Sequence, residues 1–143
     1  MKHTKSRNGF TLIELIIVMV ILGIMAAVAV PRYLDSISNA EESAEDAVIS
    51  AIRSGLTQYA NNSLYESGRA EWPTNPFDAL AEKPVGYSLD DSDADVDGEW
   101  TFSGGRITHQ RADNSRYEWS YDPGTQGGVD DAAIGSLGQR TAL

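Results

Sequence analysis

The first strong pattern in the chain is an apolar run from Phe10 to Val30, in which only Thr11 and Glu14 are clearly polar. A helix over these positions is about 32 Å long at about 1.5 Å per residue, which is enough to cross the hydrocarbon core of a bilayer. Pro31 lacks an amide hydrogen and disfavours helical geometry in the residue before it, so we expect the helix to bend or loosen near residues 27–30. Residues 10–32 are therefore predicted to be a membrane-spanning helix.

Beyond Pro31 the apolar residues recur at steps of three and four, which is the period of an amphipathic helix. We predict that this second half of the helix covers residues 33–60 and stops near Asn61-Asn62-Ser63. The acidic residues between the apolar positions, including Glu45 and Asp46, are expected to face solvent. The predicted apolar stripe comprises Tyr33, Ile37, Ala40, Ala44, Val48, Ala51, Ile52, Leu56 and Tyr59.

Residues 61–98 are rich in turn-forming residues, and we interpret them as a connecting loop that ends in an acidic run. A short helical turn is expected at residues 77–81. The large apolar side chains of this loop are expected to attach it to the body of the protein; they are Trp72, Phe77, Leu80 and Tyr87.

Alternating apolar and polar residues at positions 99–121 predict a small antiparallel sheet. Gly104-Gly105 forms a two-residue hairpin turn, which places Phe102 opposite Ile107 and Trp100 opposite His109. The third strand follows a loop at residues 113–115, with a strained Asn114 or Ser115, and its predicted register places Trp119 beside His109. The side chains expected on one apolar face are Trp100, Phe102, Ile107, Tyr117, Trp119 and Tyr121.

Together these elements predict an α+β fold. A long N-terminal helical spine, membrane-spanning in its first half and amphipathic in its second, packs on an antiparallel sheet of about three or four strands. Residues 122–143 are glycine-rich and are predicted to be a C-terminal loop or a weakly ordered tail.

Charge is distributed unevenly along the chain. Lys2, Lys5 and Arg7 precede the apolar run, whereas the whole chain has 21 acidic and 11 basic residues and a formal net charge of −10. A basic flank before an apolar helix predicts an N-terminus on the cytoplasmic side of the membrane. The acidic body argues against a nucleic-acid partner, because phosphate neutralisation supplies most of the affinity for nucleic acids.

The composition also limits the chemistry. There is no cysteine, which excludes disulfides, thiolate metal sites and a cysteine nucleophile. His109 is expected to be a packed residue, and no arrangement of nucleophile and base is visible, so no enzymatic activity is expected. Arg106 and Arg116 are expected on the outer face of the sheet, with Arg111 nearby, where ion pairing is favoured over binding of an anionic ligand.

Glu14 is costly at its position, because a carboxylate within an apolar membrane helix costs about 2.5–3.5 kcal/mol. A secretory signal peptide cleaved near Ala27-Val28-Ala29 gives it no role, and neither does a plain membrane anchor. A third interpretation is that cleavage after Gly9 creates an ammonium group at Phe10, one helical turn before Glu14. The two charges would attract strongly at low dielectric, within one chain or between neighbouring chains.

The sequence Gly9-Phe10-Thr11-Leu12-Ile13-Glu14, after a short basic leader and before the apolar run, resembles the prepilin motif of type IV pilins and type II secretion pseudopilins. The resemblance implies that residues 1–9 are a leader peptide, and that a membrane prepilin peptidase cuts after Gly9 and methylates the amine of Phe10. It also implies that Glu14 pairs with the Phe10 amine of an adjacent subunit during assembly. Pro31 lies where such proteins commonly carry a helix-disrupting proline.

The same resemblance implies two alternative functions. In the first, the chain is stored in the inner membrane and built into an extracellular, homo-oligomeric helical pilus by an assembly platform and a cytoplasmic ATPase, supporting adhesion and motility. Its cysteine-free, sheet-ended head then most resembles the mannose-sensitive haemagglutinin-like pilins. In the alternative, it is a pseudopilin that forms a short periplasmic piston for protein export. Many relatives close their C-terminal region with a disulfide, which this chain cannot form.

The acidic run contains one candidate metal site. Asp93, Asp95 and Asp97, followed by Gly98, reproduce the start of an EF-hand calcium loop. The acid expected six residues after the glycine is absent, and no flanking helices are expected, which argues against an EF-hand. Some major pseudopilins that this chain resembles bind calcium in their sheet region, so calcium is the one candidate cofactor, beside the alternative of a solvated acidic loop.

Overall fold

The computed structural model describes residues 9–124 and 135–143. The chain divides into two compact units, residues 1–42 and residues 43–143, which we call the N-terminal unit and the head unit. The elements in chain order are helix α1 (Leu12–Ser67), a 3-10 helix (Pro76–Ala79), β1 (Tyr87–Ser88), β2 (Trp100–Ser103), β3 (Arg106–Gln110), β4 (Arg116–Asp122), β5 (Ser136–Leu137) and β6 (Thr141–Ala142).

Helix α1 is longer and more regular than predicted. It runs through Pro31 without interruption, so the loosening expected near residues 27–30 is not observed; a proline removes only one helical hydrogen bond, and its neighbours retain theirs. The predicted stop at residues 61–63 is also wrong. The helix ends at Ser67 because Gly68 adopts a φ of 78° and donates its N–H to the Leu64 carbonyl at 3.0 Å, which is a glycine C-terminal cap.

The core of the head unit lies between α1 and the sheet. The helix contributes Ile49, Ile52 and Leu56, and these side chains pack against Phe77, Trp100, Ile107, Trp119 and Tyr121. The period of the predicted apolar stripe is therefore correct, but the face of the helix that is buried differs from the predicted face. Ala44 and Ala51 are exposed, whereas Glu45, which was expected to face solvent, is fully buried.

The rotation of the stripe has a physical reason. The observed core positions, from Glu45 through Ile49 and Ile52 to Leu56, follow the same helical spacing as the predicted positions and share two of them. Alanine is small enough to fit either a buried or an exposed position, so the alanines in the predicted stripe are a poor guide to which face of the helix is buried. The larger side chain of Ile49 decides the buried face, and this face includes an acid.

The central sheet is antiparallel, as predicted, with β2, β3 and β4 in that order. Phe102 lies opposite Ile107, and Trp100 lies opposite His109. Gly104 and Gly105 have φ values of 58° and 78°, which fit a type I′ hairpin turn. Three two-residue strands extend this sheet: β1 is parallel to β2, and β5 and β6 both pair with β4.

The predicted register of β4 is wrong by two residues. Trp119 pairs with Ile107, and His109 pairs with Tyr117. The connecting loop takes in residues 111–115, because Arg111 leaves the strand and its N–H bonds to the Ser115 carbonyl at 2.9 Å. Asn114 has the left-handed φ of 63° that a strained loop position requires. A shift by two keeps side chains on the same face, so the predicted apolar face is correct.

The connecting loop covers the outer face of the sheet. The Ala94 N–H donates to the Thr108 hydroxyl at 2.8 Å, and the Thr108 and Thr101 hydroxyls are 2.6 Å apart. All three residues are buried. The predicted helical turn appears as the 3-10 helix Pro76–Ala79, which buries Phe77. The loop is therefore a packed layer of the head unit, and it fixes where the acidic run lies.

Candidate assembly site

The N-terminus of α1 is closed by a capping box. The Thr11 N–H and the Thr11 hydroxyl each donate to Glu14 Oε2 at 2.7 Å, and the Glu14 N–H donates to Thr11 Oγ1 at 3.3 Å. This reciprocal arrangement satisfies backbone donors that the first turn of a helix otherwise leaves unpaired. The signal for it, a threonine followed three residues later by a glutamate, is present in the sequence, and our sequence analysis missed it.

The capping box accounts for the contacts that Glu14 makes among the described residues. Within the part of the chain that the structure describes, no basic side chain pairs with this carboxylate, and its contacts are those to Thr11. Phe10 is 92% exposed, and nothing lies within 4 Å of the place where a side chain on Gly9 would begin. The Gly9–Phe10 peptide bond and the Glu14 carboxylate are therefore both open to another molecule.

The first half of α1 is apolar on all sides. It is long and apolar enough to cross a membrane, and the apolar stretch is not buried inside the chain. Its aliphatic side chains from Leu12 to Val30 are roughly half exposed or more. A helix that is apolar all round must be covered by lipid or by other protein surfaces.

A second carboxylate, Glu45, lies at the centre of a buried ionic cluster in the head unit. Its Oε1 accepts from Arg111 Nε at 2.7 Å and from His109 Nδ1 at 3.0 Å, and its Oε2 accepts from Arg111 Nη2 at 2.6 Å. Arg140 Nε lies 3.1 Å from the same Oε2. The Trp100 ring stacks on His109 with centroids 4.2 Å apart, and the Arg111 guanidinium lies 4.1 Å from the Tyr117 ring centroid.

The electrostatics of the cluster favour an ionised Glu45. Burial by itself raises the pKa of this carboxyl group, but hydrogen bonds from Arg111 and His109, together with their charges, lower it to about 2. A buried carboxylate that remains charged needs compensating cations. Glu45 therefore functions as an anchor for basic side chains that come from distant parts of the chain.

The structure shows the contacts of two of the arginines that were expected at the outer face of the sheet. Arg106 pairs with Glu118 at 2.8 Å and lies 3.6 Å from Asp93, so ion pairing is its role. Arg111, which was expected near that face, is instead buried against Glu45. His109 is a packed residue, as predicted.

Sequence reasoning missed Glu45 and Arg140 because their partners lie far away along the chain. The available signal was an acid at a position that the helical period places among the core residues.

The acidic run is arranged differently from an EF-hand. Asp95 lies with Asp91 and Glu99, and oxygen atoms of these three side chains are all within 4.8 Å of one another. Of the predicted calcium ligands, Asp93 lies near Arg106, and the Asp97 carboxylate accepts from Gln110 Nε2 at 3.4 Å. The negative charge of Glu99, followed by burial and the charges of Asp95 and Asp90, raises the pKa of Asp91.

The fold and the site define a class of protein: an α+β head on a helix whose apolar surface requires a membrane or neighbouring copies. A family model for the prokaryotic N-terminal methylation motif matches residues 4–30. The chain is 42% identical to a fimbrial protein of Neisseria meningitidis over 48% of this chain and 37% of the relative. It is 54% identical to the type IV narrow pilus major component PilA5 of Thermus thermophilus over 33% of this chain and 40% of the relative.

A further relative aligns over most of the chain. The type II secretion system core protein G of Vibrio cholerae is 29% identical over 97% of this chain and 87% of the relative. The chain covers about two fifths of the length of the two pilus relatives. No solved structure matches it. On these matches, the chain is similar to type IV pilins and to type II secretion protein G, and its residues 4–30 carry the N-terminal methylation motif.

Proposed function

We propose that the chain is the structural subunit of a type IV pilus filament. The observation that supports this most strongly is the first half of α1, which exposes apolar side chains on all sides and has a single acid, Glu14, at its beginning. The membrane covers this surface before assembly, and the helices of neighbouring subunits cover it within the filament. Adhesion and motility are the activities that such a filament supports.

Processing of the N-terminus prepares the helix for assembly. A prepilin peptidase cuts between Gly9 and Phe10 and methylates the new amine of Phe10, while the N-terminus faces the cytoplasm. The exposure of Phe10 and the free space around Gly9 support access to this bond. An inner-membrane platform and a cytoplasmic ATPase then move the subunit from the inner membrane into the filament.

Glu14 has two successive roles in this proposal. In the stored subunit its carboxylate caps α1 through Thr11. In the filament it pairs with the Phe10 amine of an adjacent subunit, and the attraction at low dielectric sets the axial position of one helix against the next. Because Glu14 has no cation of its own within the described residues, the charge is available to a neighbour.

The experiment separates the cap from the charge. Glu14→Gln keeps an oxygen that can accept from Thr11 but removes the negative charge, whereas Thr11→Val removes the cap and keeps the charge. We expect Glu14→Gln to be cleaved and held in the membrane, while the yield of sheared fibres falls roughly tenfold or more, since close, desolvated charge pairs contribute about 1.5 kcal/mol or more. Thr11→Val should assemble with a much smaller loss. Fibre yield is measured by electron microscopy and by immunoblots of sheared cells.

Asp35→Asn is the matched control, because it removes an acid of the N-terminal unit outside the apolar run, and it should leave the fibre yield unchanged. Mass spectrometry of the mature chain should find a methylated Phe10 as the first residue in all three variants. A normal fibre yield from Glu14→Gln would refute the pairing role. A first residue other than Phe10 would refute the processing step.

One observation favours a second candidate function. The alignment with the secretion protein G of Vibrio cholerae extends through the head, whereas the alignment with the fimbrial protein covers about half of this chain. In this candidate the chain is a pseudopilin that forms a short periplasmic piston for protein export. Deletion of the gene distinguishes the two: loss of long surface fibres supports the pilus, and blocked release of exported proteins without loss of fibres supports the piston.

We also propose that the acidic run binds calcium, with Asp91 and Glu99 beside the predicted ligand Asp95. Three carboxylates within 4.8 Å supply the oxygen ligands that calcium prefers, and the bound charge would relieve the repulsion that raises the pKa of Asp91. Added calcium should raise the melting temperature of the full chain in detergent, and Asp91→Asn should abolish the shift. An unchanged melting curve up to millimolar calcium would exclude the site.

A further inference from the structure

The C-terminal segment, residues 135–143, lies along the outer edge of β4. Its two strands, β5 and β6, pair with β4 at Tyr121 and Asp122 and at Tyr117 and Glu118. Its backbone adds three hydrogen bonds to β4, from Gly135 N–H to the Asp122 carbonyl at 2.7 Å, from Gly138 N–H to the Ser120 carbonyl at 2.8 Å and from Leu143 N–H to the Arg116 carbonyl at 3.0 Å. Strands of two residues provide little pairing by themselves, so a further contact must hold the segment.

Arg140, between the two short strands, supplies a further contact, beside the donation from Arg53 Nη2 to the Gly138 carbonyl at 3.3 Å and the packing of Leu137 against the core. Its Nε lies 3.1 Å from Glu45 Oε2, and its Nη2 bonds to Asp46 on the next position of α1. The side chain is only 20% exposed, and its guanidinium carbon lies 5.9 Å from the ring centroids of Tyr117 and Trp119. The segment is thus attached to the helix through a charge that reaches the interior of the head unit.

The partner of Arg140 is an unusually strong anchor. Glu45 is fully buried and is already held by two hydrogen bonds from Arg111 and one from His109. Glu45 is therefore held in place by groups other than Arg140, so the carboxylate loses little further freedom when it pairs with the arginine. The contact of Arg140 Nε with Glu45 is an ion pair without hydrogen-bond geometry, whereas Nη2 donates a hydrogen bond to the exposed Asp46. An ion pair with a buried carboxylate is screened less by solvent than one with an exposed acid.

We propose that Arg140 and Glu45 form a latch that holds the C-terminal segment on the edge of β4. In a chain without cysteine, this ionic contact takes the place of a covalent closure. The latch also keeps β4 covered. This seven-residue strand carries Tyr117, Trp119 and Tyr121, and its outer edge would otherwise present unpaired backbone groups to other chains.

Hydrogen exchange of the full chain in detergent micelles, followed by mass spectrometry of peptides, tests the latch. Arg140→Gln removes the charge of a side chain that is 20% exposed. We expect roughly tenfold faster exchange in a peptide covering residues 136–143, because the variant loses the ion pair with the buried Glu45 carboxylate. A peptide covering residues 100–110, in the centre of the sheet, should exchange as in the parent chain.

Three further variants define the mechanism. Arg106→Gln is the matched control, because it removes an exposed arginine of the same sheet whose partners are Glu118 and Asp93; it should leave residues 136–143 unchanged. Asp46→Asn, at the exposed partner, should change their exchange by less than about twofold. Glu45→Gln should speed exchange in both peptides, because it also removes the negative charge that Arg111 contacts.

Two results would overturn the latch. One is unchanged exchange of residues 136–143 in Arg140→Gln, and the other is an equal effect from Asp46→Asn. These outcomes are independent of fibre formation, so failure of the latch and failure of the filament proposal are distinguishable.

Discussion

Two glutamates, Glu14 and Glu45, lie on helix α1 in opposite surroundings. Glu14 is surrounded by apolar residues in sequence, lies at the exposed beginning of the helix, and contacts only Thr11 among the described residues. Glu45 is one of several acids in sequence, yet it is fully buried and contacts Arg111, His109 and Arg140.

The difference shows that the surroundings of an acid decide whether its charge is compensated within its own chain. Glu45 is satisfied within its own chain, so its charge contributes to the stability of the head. Glu14 has only a local cap, so its charge remains available for a contact with another molecule. The same substitution should therefore lower the stability of the head unit when it is made at the buried acid and leave it unchanged when it is made at the exposed acid.

The largest effect is expected from removing the buried acid. Glu45→Ala removes the buried carboxylate that Arg111 and His109 contact, and removing one partner of a buried ion pair costs about 3–5 kcal/mol. The head should melt at a much lower temperature, or fail to fold, in circular dichroism of the full chain in detergent. Glu14→Ala is the matched substitution and should leave the melting of the head unchanged. Equal melting temperatures for the two variants would remove the distinction between the two acids.

Acid pH should lower the free energy of unfolding of the head unit, because Glu45 becomes protonated. Its pKa in the folded state is lowered to about 2 from the ordinary value of 4.5, so its contribution to stability is fully present above about pH 4.5 and is lost as the pH falls towards 2. The contribution is about 3 kcal/mol by linkage. Glu45→Gln should flatten this part of the profile of unfolding free energy against pH. If the profile of the variant keeps the slope of the parent, other carboxyl groups cause the acid sensitivity.

A smaller effect should distinguish a glycine in each half of the helix. A Cβ atom on Gly55 would lie 2.6 Å from the Ala79 carbonyl oxygen, whereas nothing lies within 4 Å of one on Gly23. Gly55→Ala should therefore cost the head about 1–3 kcal/mol through overpacking. Gly23→Ala should leave the head's melting temperature unchanged. A Gly55→Ala variant as stable as the parent would mean that the 3-10 helix can move away without cost.

Much of the fold was predictable because its signals are local. The apolar run, the two-glycine turn and the alternation of Trp100 and Phe102 each depend on residues within a few positions of one another. The helix end was missed because the cap at Gly68 lies beyond the more conspicuous Asn61-Asn62-Ser63. The register of β4 was missed because Arg111 leaves its strand early in order to reach Glu45.

The candidate assembly site was predictable for the same reason. Gly9, Phe10 and Glu14 lie within one short motif, and the capping box adds Thr11 from that motif. Their part in processing and assembly remains a prediction. The sequence shows the run of acidic residues. Which of their carboxylates lie close together depends on how the loop packs on Thr108 and Gln110.

The sequence by itself therefore determined the apolar helix, the class of fold, the strand faces and the motif that marks the family, because periodicity and short motifs are properties of neighbouring residues. Only the tertiary structure decided which face of the helix is buried, that Glu45 belongs to it, and that Arg111 and Arg140 converge on it. These are contacts between residues far apart along the chain. Their energies depend on burial and on exact distances, and neither is encoded in the local pattern of residues.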